Sequence, residues 1–110
     1  MPCDCETVIS PVDADLAIQV HGDSMEPNFS NGDTLFIKRI NEKNFIPWGN
    51  PMVIDTENGV LVKAVYPVDG DDETIEAHSY NPAYPPLRVP TATIYGLYKV
   101  TGRMSVYNTL

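Results

Sequence analysis

The sequence predicts a single domain that is mainly β. Ten prolines and seven glycines are spread through the 110 residues, and no long stretch keeps the periodicity of an amphipathic helix. β-Branched and aromatic residues instead form short runs bounded by turn residues, a pattern typical of strands. An Asn58-Gly59 pair also separates two apolar runs, and Asn-Gly is the dipeptide that a tight hairpin turn favours.

The individual elements follow from where the apolar runs begin and end. The predicted strands are 16–20, 34–40, 52–55, 60–68, 74–79 and 93–100, with a possible further strand at 103–106. The predicted connections are a loop with one helical turn at 22–31, a longer loop at 41–51 that holds the single tryptophan, a turn at 69–73 and a proline-rich loop at 80–86. We expect residues 1–15 to be a flexible N-terminal segment and residues 16–110 to be the domain.

The charge balance excludes several classes of function for these residues. Seven Lys and Arg against fifteen Asp and Glu give a formal net charge of −8. Phosphate backbones and anionic membranes both select basic surfaces, so we expect no direct nucleic-acid contact and no membrane contact. No apolar run approaches the ~18 residues of a membrane span, and the first residues lack the features of a signal peptide. These observations predict a cytoplasmic domain.

The number and spacing of the cysteines and histidines do not predict a metal site. Cys3 and Cys5 form a lone pair at the start of the chain, whereas a structural zinc site normally needs four ligands. The acidic turn at 69–73 lacks the ligand spacing of a calcium-binding loop. We therefore expect no metal and no cofactor.

Lys63 interrupts the apolar run from Val60 to Val65. Leu61, Lys63 and Val65 share one face of the strand because side chains alternate. A lysine on an apolar face is desolvated, which lowers its pKa and favours the neutral amine, and a neutral amine can act as a general base. The alternative is that the stem lies along the apolar surface while the ammonium reaches water.

Ser24 is the second candidate for chemistry. Gly22 precedes it by two residues and leaves room for a substrate carbonyl, while nearby backbone N–H groups could form an oxyanion site. A serine hydroxyl is a poor nucleophile until a base takes its proton. The alternative is that Ser24 caps a short helical turn that leads to Pro27.

Three segments together resemble the serine–lysine autoproteases, the C-terminal peptidase domains of LexA-like and phage CI-type repressors and their UmuD-like relatives. HGDSMEPNFSNGDTLFIKRI, residues 21–40, is similar to the family segment G-x-S-M-x-P … G-D. GVLVKAVYP, residues 59–67, is similar to a strand with a lysine about forty residues after the serine. SYNPAYPP, residues 79–86, resembles the family loop S-x-N-P-x-Y. The resemblance covers residues 16–106 and implies a LexA/signal-peptidase-like fold of twisted antiparallel sheets with short helical turns.

The resemblance also implies roles for individual residues. Ser24 matches the nucleophile and Lys63 the unprotonated general base. Gly22, Asp23 and Met25 match the loop whose amides support the oxyanion, and four residues match structural loop positions: Pro27, Asn81, Pro82 and Tyr84. In the family this domain cleaves a peptide bond upstream in its own chain, forms a homodimer, and follows a helix-turn-helix DNA-binding domain.

The sequence departs from the family pattern at two places. Family members usually carry a hydroxyl residue two positions before the lysine, where this chain has Leu61, so Ser79 or a threonine elsewhere would have to hydrogen-bond the amine. The chain also contains neither Ala-Gly nor Cys-Gly, the typical scissile dipeptides. The simplest interpretation is an excised C-terminal domain or the equivalent of a cleavage product.

Four alternatives remain open. Ser24 could act in a triad with His21 or His78 and one of many acids. The domain could be a dimerisation and regulatory module with an unused dyad, or a UmuD-like polymerase accessory subunit. The run from Ile94 to Tyr98 could also be an exposed edge that pairs with a second chain.

Overall fold

The computed structural model describes residues 13–105, and these residues form a mainly β domain, as predicted. Its strands are β1 (Leu16–Gln19), β2 (Thr34–Arg39), β3 (Pro51–Thr56), β4 (Gly59–Val68), β5 (Asp71–His78), β6 (Leu87–Pro90) and β7 (Ile94–Met104). Two single turns of 3-10 helix lie at Lys43–Phe45 and Thr91–Thr93. Neither these turns nor any other helix within residues 13–105 is long and apolar enough to cross a membrane.

The seven strands form one antiparallel sheet in the order β1-β2-β7-β3-β4-β5-β6. The sheet curls into a half-barrel, consistent with the LexA-like fold that the sequence predicts. Because the sheet curls, Ile18 on β1 and Val62 on β4 pack against the same apolar cluster, although three strands separate them. A second cluster, on β3 to β6, contains Met52, Ile54 and Val65, each at most 1 % exposed.

The hairpin between β3 and β4 is confirmed, with its turn one residue earlier than predicted. Thr56 pairs with Gly59, so the two loop residues are Glu57 and Asn58. The Thr56 hydroxyl donates to the Gly59 carbonyl (2.8 Å) and accepts from the Asn58 N–H (3.0 Å). This side chain closes the turn, and Gly59 takes up a positive φ of 128° that suits a residue without Cβ.

The hairpin between β4 and β5 contains a shift of register. Val68 pairs with Asp71 at the turn, but Pro67 already pairs with Ile75, and the ladder then runs regularly to Ala64 opposite His78. Strand β5 therefore begins inside the segment that was predicted as a turn at 69–73. The shift inserts extra residues on the β5 side, as a β-bulge does.

Two further expectations about strands need correction. Strand β6 was not predicted, because its four residues end in proline; the strand lies at the edge of the sheet, where a residue without N–H is tolerated. The single strand β7 replaces the two short strands predicted near the C-terminus. Within the described residues, the run from Ile94 to Tyr98 pairs with β3 on one side, but on the other side the β2 ladder reaches only Tyr98, so pairing of this run with a second chain stays a prediction.

The start of the described chain is attached to the sheet. The Asp15 N–H donates to the Ile37 carbonyl (2.8 Å), and the Asp15 carboxylate accepts from the Arg39 N–H (2.9 Å). Lys38 Nζ lies 3.4 Å from an Asp13 carboxylate oxygen. Residues 1–12 of the proposed flexible segment, which include Cys3 and Cys5, lie outside the described residues.

Candidate active site

Ser24 lies in the loop between β1 and β2, which is closed by hydrogen bonds between its two ends. The Val20 N–H donates to the Asp33 carbonyl and the Gly32 N–H to the Val20 carbonyl, both at 2.8 Å. The Gly22 N–H donates to the Asn31 side-chain oxygen at 2.8 Å, across nine residues. These bonds hold the Gly-x-Ser segment between two strands of the sheet.

Met25 anchors the interior of the same loop. Its side chain is 1 % exposed, and its carbonyl accepts the Phe29 N–H at 2.9 Å, which forms a single helical turn. Pro27 follows a cis peptide bond from Glu26 within this turn. The residue after Ser24 is thus buried, while the serine itself stays at the surface of the loop.

Lys63 lies on β4 opposite Met52 and is 8 % exposed. Its Nζ lies 3.1 Å from Ser24 Oγ and 2.8 Å from Ser79 Oγ. Burial lowers the pKa of Lys63 because the charged ammonium is partly removed from water. Among the described residues no carboxylate lies within 4.0 Å of this amine, so no ion pair opposes the effect of burial.

The proline-rich loop at 80–86 is fastened to the Ser24 loop. The Asn81 N–H donates to the Ser24 carbonyl (3.0 Å), and the Asn81 side-chain amide donates to the Asp23 carbonyl (3.1 Å). The Tyr84 hydroxyl donates to the Asp23 carboxylate, which raises the pKa of Tyr84. Its ring lies 5.8 Å from Lys63 Nζ, within reach of a cation–π contact. Pro82 lies between Asn81 and Tyr84 in this loop.

A groove of about 440 Å³ extends from Ser24 and Lys63 between β1 and β4. Its walls come from residues at the end of β1, from the Ser24 loop and from the first half of β4: Ile18, Gln19, Val20, His21, Ser24, Met25, Val60, Leu61, Val62 and Lys63. Strand β5 pairs with β4 only from Ala64 onward, and β1 pairs only with β2. Within residues 13–105, both walls therefore present strand edges that have no partner strand.

A family model described as Peptidase S24-like matches residues 1–100. The chain belongs to this family. It is a family of serine peptidases that includes LexA-like, UmuD-like and phage-repressor C-terminal domains, so the family resemblance inferred from the sequence motifs is confirmed. A search of curated proteins found no match.

The S24-like motif residues meet at one place in the fold, whereas the histidines do not join them. His21 is exposed at the groove wall, and no hydrogen bond links it to Ser24 within the described chain. His78 Nε2 instead lies 2.9 Å from the Glu76 carboxylate, and its ring packs edge-on against Tyr66. The geometry offers Ser24 an amine as its neighbour rather than an imidazole.

The positions of two contacts of the S24-like site do not follow from the sequence. The hydrogen bond from Tyr84 to Asp23 joins residues 61 positions apart, and no local pattern indicates it. Ser79 was named as a possible substitute for the missing hydroxyl at position 61, but the sequence did not show that it lies opposite Lys63. Within residues 13–105, no cluster of three or more His, Cys, Asp or Glu side chains could hold a metal ion.

Proposed function

We propose that this chain is the C-terminal autoproteolytic and dimerisation domain of a phage-type or stress-response transcriptional repressor. It would cleave a peptide bond with Ser24 as nucleophile and Lys63 as general base. The observation that carries the proposal is the distance of 3.1 Å between Lys63 Nζ and Ser24 Oγ, with the amine 8 % exposed and its pKa lowered by burial. A deprotonated amine within hydrogen-bond distance of a serine hydroxyl is what proton abstraction requires.

The proposed reaction proceeds in two stages. Ser24 Oγ attacks the scissile carbonyl carbon while its proton passes to Lys63 Nζ. The tetrahedral intermediate then collapses, the carbon–nitrogen bond breaks, and Lys63 gives this proton to the leaving amine. In the second stage Lys63 takes a proton from water, the resulting hydroxide displaces Ser24 from the acyl ester, and the serine recovers its proton. The net reaction consumes one water and releases a carboxylate and an amine.

Backbone amides of the Ser24 loop would stabilise the oxyanion. The Gly22 N–H and the Glu26 N–H already donate to Asn31 and to the Asp23 carbonyl. The N–H groups of Ser24 and Met25 have no acceptor among the described residues. Donors that are fixed in place and unoccupied supply the electrostatic stabilisation that acyl transfer needs.

The groove would receive the substrate as an extended chain. An extended peptide gains main-chain hydrogen bonds when it is added to an unpaired strand edge. The first half of β4 offers such an edge beside Lys63, and Ile18, Leu61 and Val62 give the groove apolar walls. We therefore propose that the cleaved segment binds as an additional strand, with its scissile carbonyl at Ser24. From the family we further propose a homodimer and an upstream helix-turn-helix domain in the parent chain.

The test is to supply the upstream segment of the parent chain, fused ahead of Met1 or as a separate peptide. We expect cleavage that increases toward alkaline pH and that is abolished by Ser24→Ala and by Lys63→Ala. Mass spectrometry of the products gives the scissile bond. Cleavage that persists in Lys63→Ala would refute the dyad. If the folded wild-type protein does not cleave, the dimerisation module with an unused dyad is the better description.

A further inference from the structure

We propose that Asn81 is a positioning residue that orients the backbone N–H groups of Ser24 and Met25 toward the oxyanion of the cleavage reaction. The inference rests on the proposed function, in which these amides stabilise that oxyanion. The side-chain amide of Asn81 donates to the Asp23 carbonyl at 3.1 Å, across 58 residues of chain. Its backbone N–H donates to the Ser24 carbonyl at 3.0 Å. One residue of the proline-rich loop therefore holds two successive carbonyl groups of the Ser24 loop.

The planar peptide bond transfers this constraint from the carbonyls to the amides. The Asp23 carbonyl and the Ser24 N–H belong to one peptide unit, and the Ser24 carbonyl and the Met25 N–H belong to the next. Both units are trans, because the one cis bond among the described residues follows Glu26. In a trans unit the C=O and the N–H point in opposite directions. Both carbonyls face Asn81, so both N–H groups face away from it, and their residues line the groove.

Neither of the two N–H groups is occupied by the protein itself. Among residues 13–105, no acceptor lies within hydrogen-bond distance of the Ser24 or the Met25 N–H. The N–H of Glu26 donates to the Asp23 carbonyl at 3.1 Å, so this carbonyl accepts two hydrogen bonds and uses both of its lone pairs. The first peptide unit is thus fixed from two sides. Two adjacent donors that are fixed and unoccupied, at the residue that carries the nucleophile, are suited to receive a developing negative charge.

The proline-rich loop in turn fixes the side chain of Asn81. Its side-chain oxygen accepts the Ala83 N–H at 2.9 Å, and its carbonyl accepts the Tyr84 N–H at 3.1 Å. With the oxygen directed at Ala83, the nitrogen of the same amide is directed at Asp23. An asparagine side chain combines an acceptor and a donor, so it can close its own turn and also reach the Ser24 loop. A serine hydroxyl can accept in the same kind of turn, but it lacks the separate NH₂ group that reaches Asp23.

Asn81→Ser tests the inference, because it keeps an acceptor for the turn and removes the donor to the Asp23 carbonyl. With the upstream segment as a separate peptide, we expect kcat to fall about tenfold, less than the ~10²–10³-fold loss when an oxyanion donor itself is removed. KM should stay unchanged, because the oxyanion forms only after attack. Asn50→Ser is the matched control, since its side-chain amide also donates to a carbonyl, that of Pro47 at 3.1 Å, away from the groove. A raised KM with unchanged kcat in Asn81→Ser would contradict the inference.

A second measurement does not depend on cleavage. Backbone ¹⁵N relaxation gives the NMR order parameters of the Ser24 and Met25 N–H groups in the free protein. We expect values of about 0.85 in wild type and in Asn50→Ser, as in rigid backbone, and a fall toward about 0.6 in Asn81→Ser. Values below about 0.6 in wild type would overturn the inference even if the Asn81→Ser variant does not fold, and so would equal values in wild type and the folded variant. Absence of wild-type cleavage would instead count against the proposed function, since the order parameters are measured without substrate.

Discussion

Replacing Lys63 with methionine should make the protein inactive and, at neutral pH, more stable. Methionine keeps the unbranched stem and the packing of Lys63 but removes the amine. Because the wild-type ammonium is 8 % exposed and has no carboxylate within 4.0 Å among the described residues, its burial is poorly compensated. Apolar replacement of buried ionic groups is often neutral or stabilising by about 1–4 kcal/mol. We expect a gain in unfolding free energy at the lower end, on the order of 1 kcal/mol, because two hydrogen bonds worth about 0.5–1.5 kcal/mol each are also lost.

The pH dependence of this gain follows from proton binding. The folded lysine has a lowered pKa, while the unfolded lysine keeps its ordinary value of 10.5. Between these two values the unfolded state binds more protons, so wild-type stability rises with pH across that window. Lys63→Met lacks this rise. The excess of the unfolding free energy of Lys63→Met over that of wild type should therefore shrink as the pH approaches 10.5. Near that pH we expect the two lost hydrogen bonds to make Lys63→Met the less stable protein.

Urea unfolding of both proteins at several pH values measures the difference in unfolding free energy. Equal slopes m of this free energy against urea concentration confirm that both proteins expose the same surface on unfolding. Lys99→Met provides a matched control, because Lys99 is an exposed lysine of the same sheet and its replacement should leave the pH dependence intact. A Lys63→Met variant that is less stable than wild type at neutral pH would refute the argument. So would a stability difference that does not change with pH.

Three further predictions concern other parts of the site and the core. His21→Ala combined with His78→Ala should keep cleavage largely intact, and complete loss in a folded double variant would contradict the lysine mechanism. Tyr84→Phe removes the hydrogen bond to Asp23 and should slightly lower the unfolding free energy and reduce the cleavage rate, while an unchanged rate would show that this contact does not hold the Ser24 loop. Ile54→Ala, at a position that is 0 % exposed, should cost about 2–5 kcal/mol in urea unfolding, and a loss well under 1 kcal/mol would mean that the site repacks.

The strands were predictable where an apolar run and a turn residue coincide. Asn58-Gly59 gave the hairpin of β3 and β4, displaced by one residue because the side chain of Thr56 closes the turn. The family motifs identified Ser24 and Lys63 as a pair before any geometry was known. These features depend on short segments of chain, in which local preference and tertiary structure agree.

The remaining features depend on contacts between distant segments. The four residues of β6 form a strand only because β5 provides a partner, and periodicity in so short a run carries little information. The central position of β7 follows from the curled sheet order rather than from its composition. Ser79 could be named as a candidate partner of Lys63, but its position opposite the amine depends on the irregular register of the hairpin from β4 to β5.

That irregular register decides which chemical group the lysine meets. A hairpin that continued the pairing of Val68 with Asp71 without a shift would place Glu76 opposite Lys63, five positions from the turn on each strand. A carboxylate there would form an ion pair, favour the ammonium and raise the proton affinity of the amine, the opposite of what a general base requires. The shift between Pro67 and Val68 replaces that acid with a hydroxyl and leaves Glu76 to pair with His78 and Arg88. Under the proposed function, a slip of β5 into the unshifted register, with all of its residues kept, would exchange a general base for an inert salt bridge with every residue of the Ser24 loop unchanged.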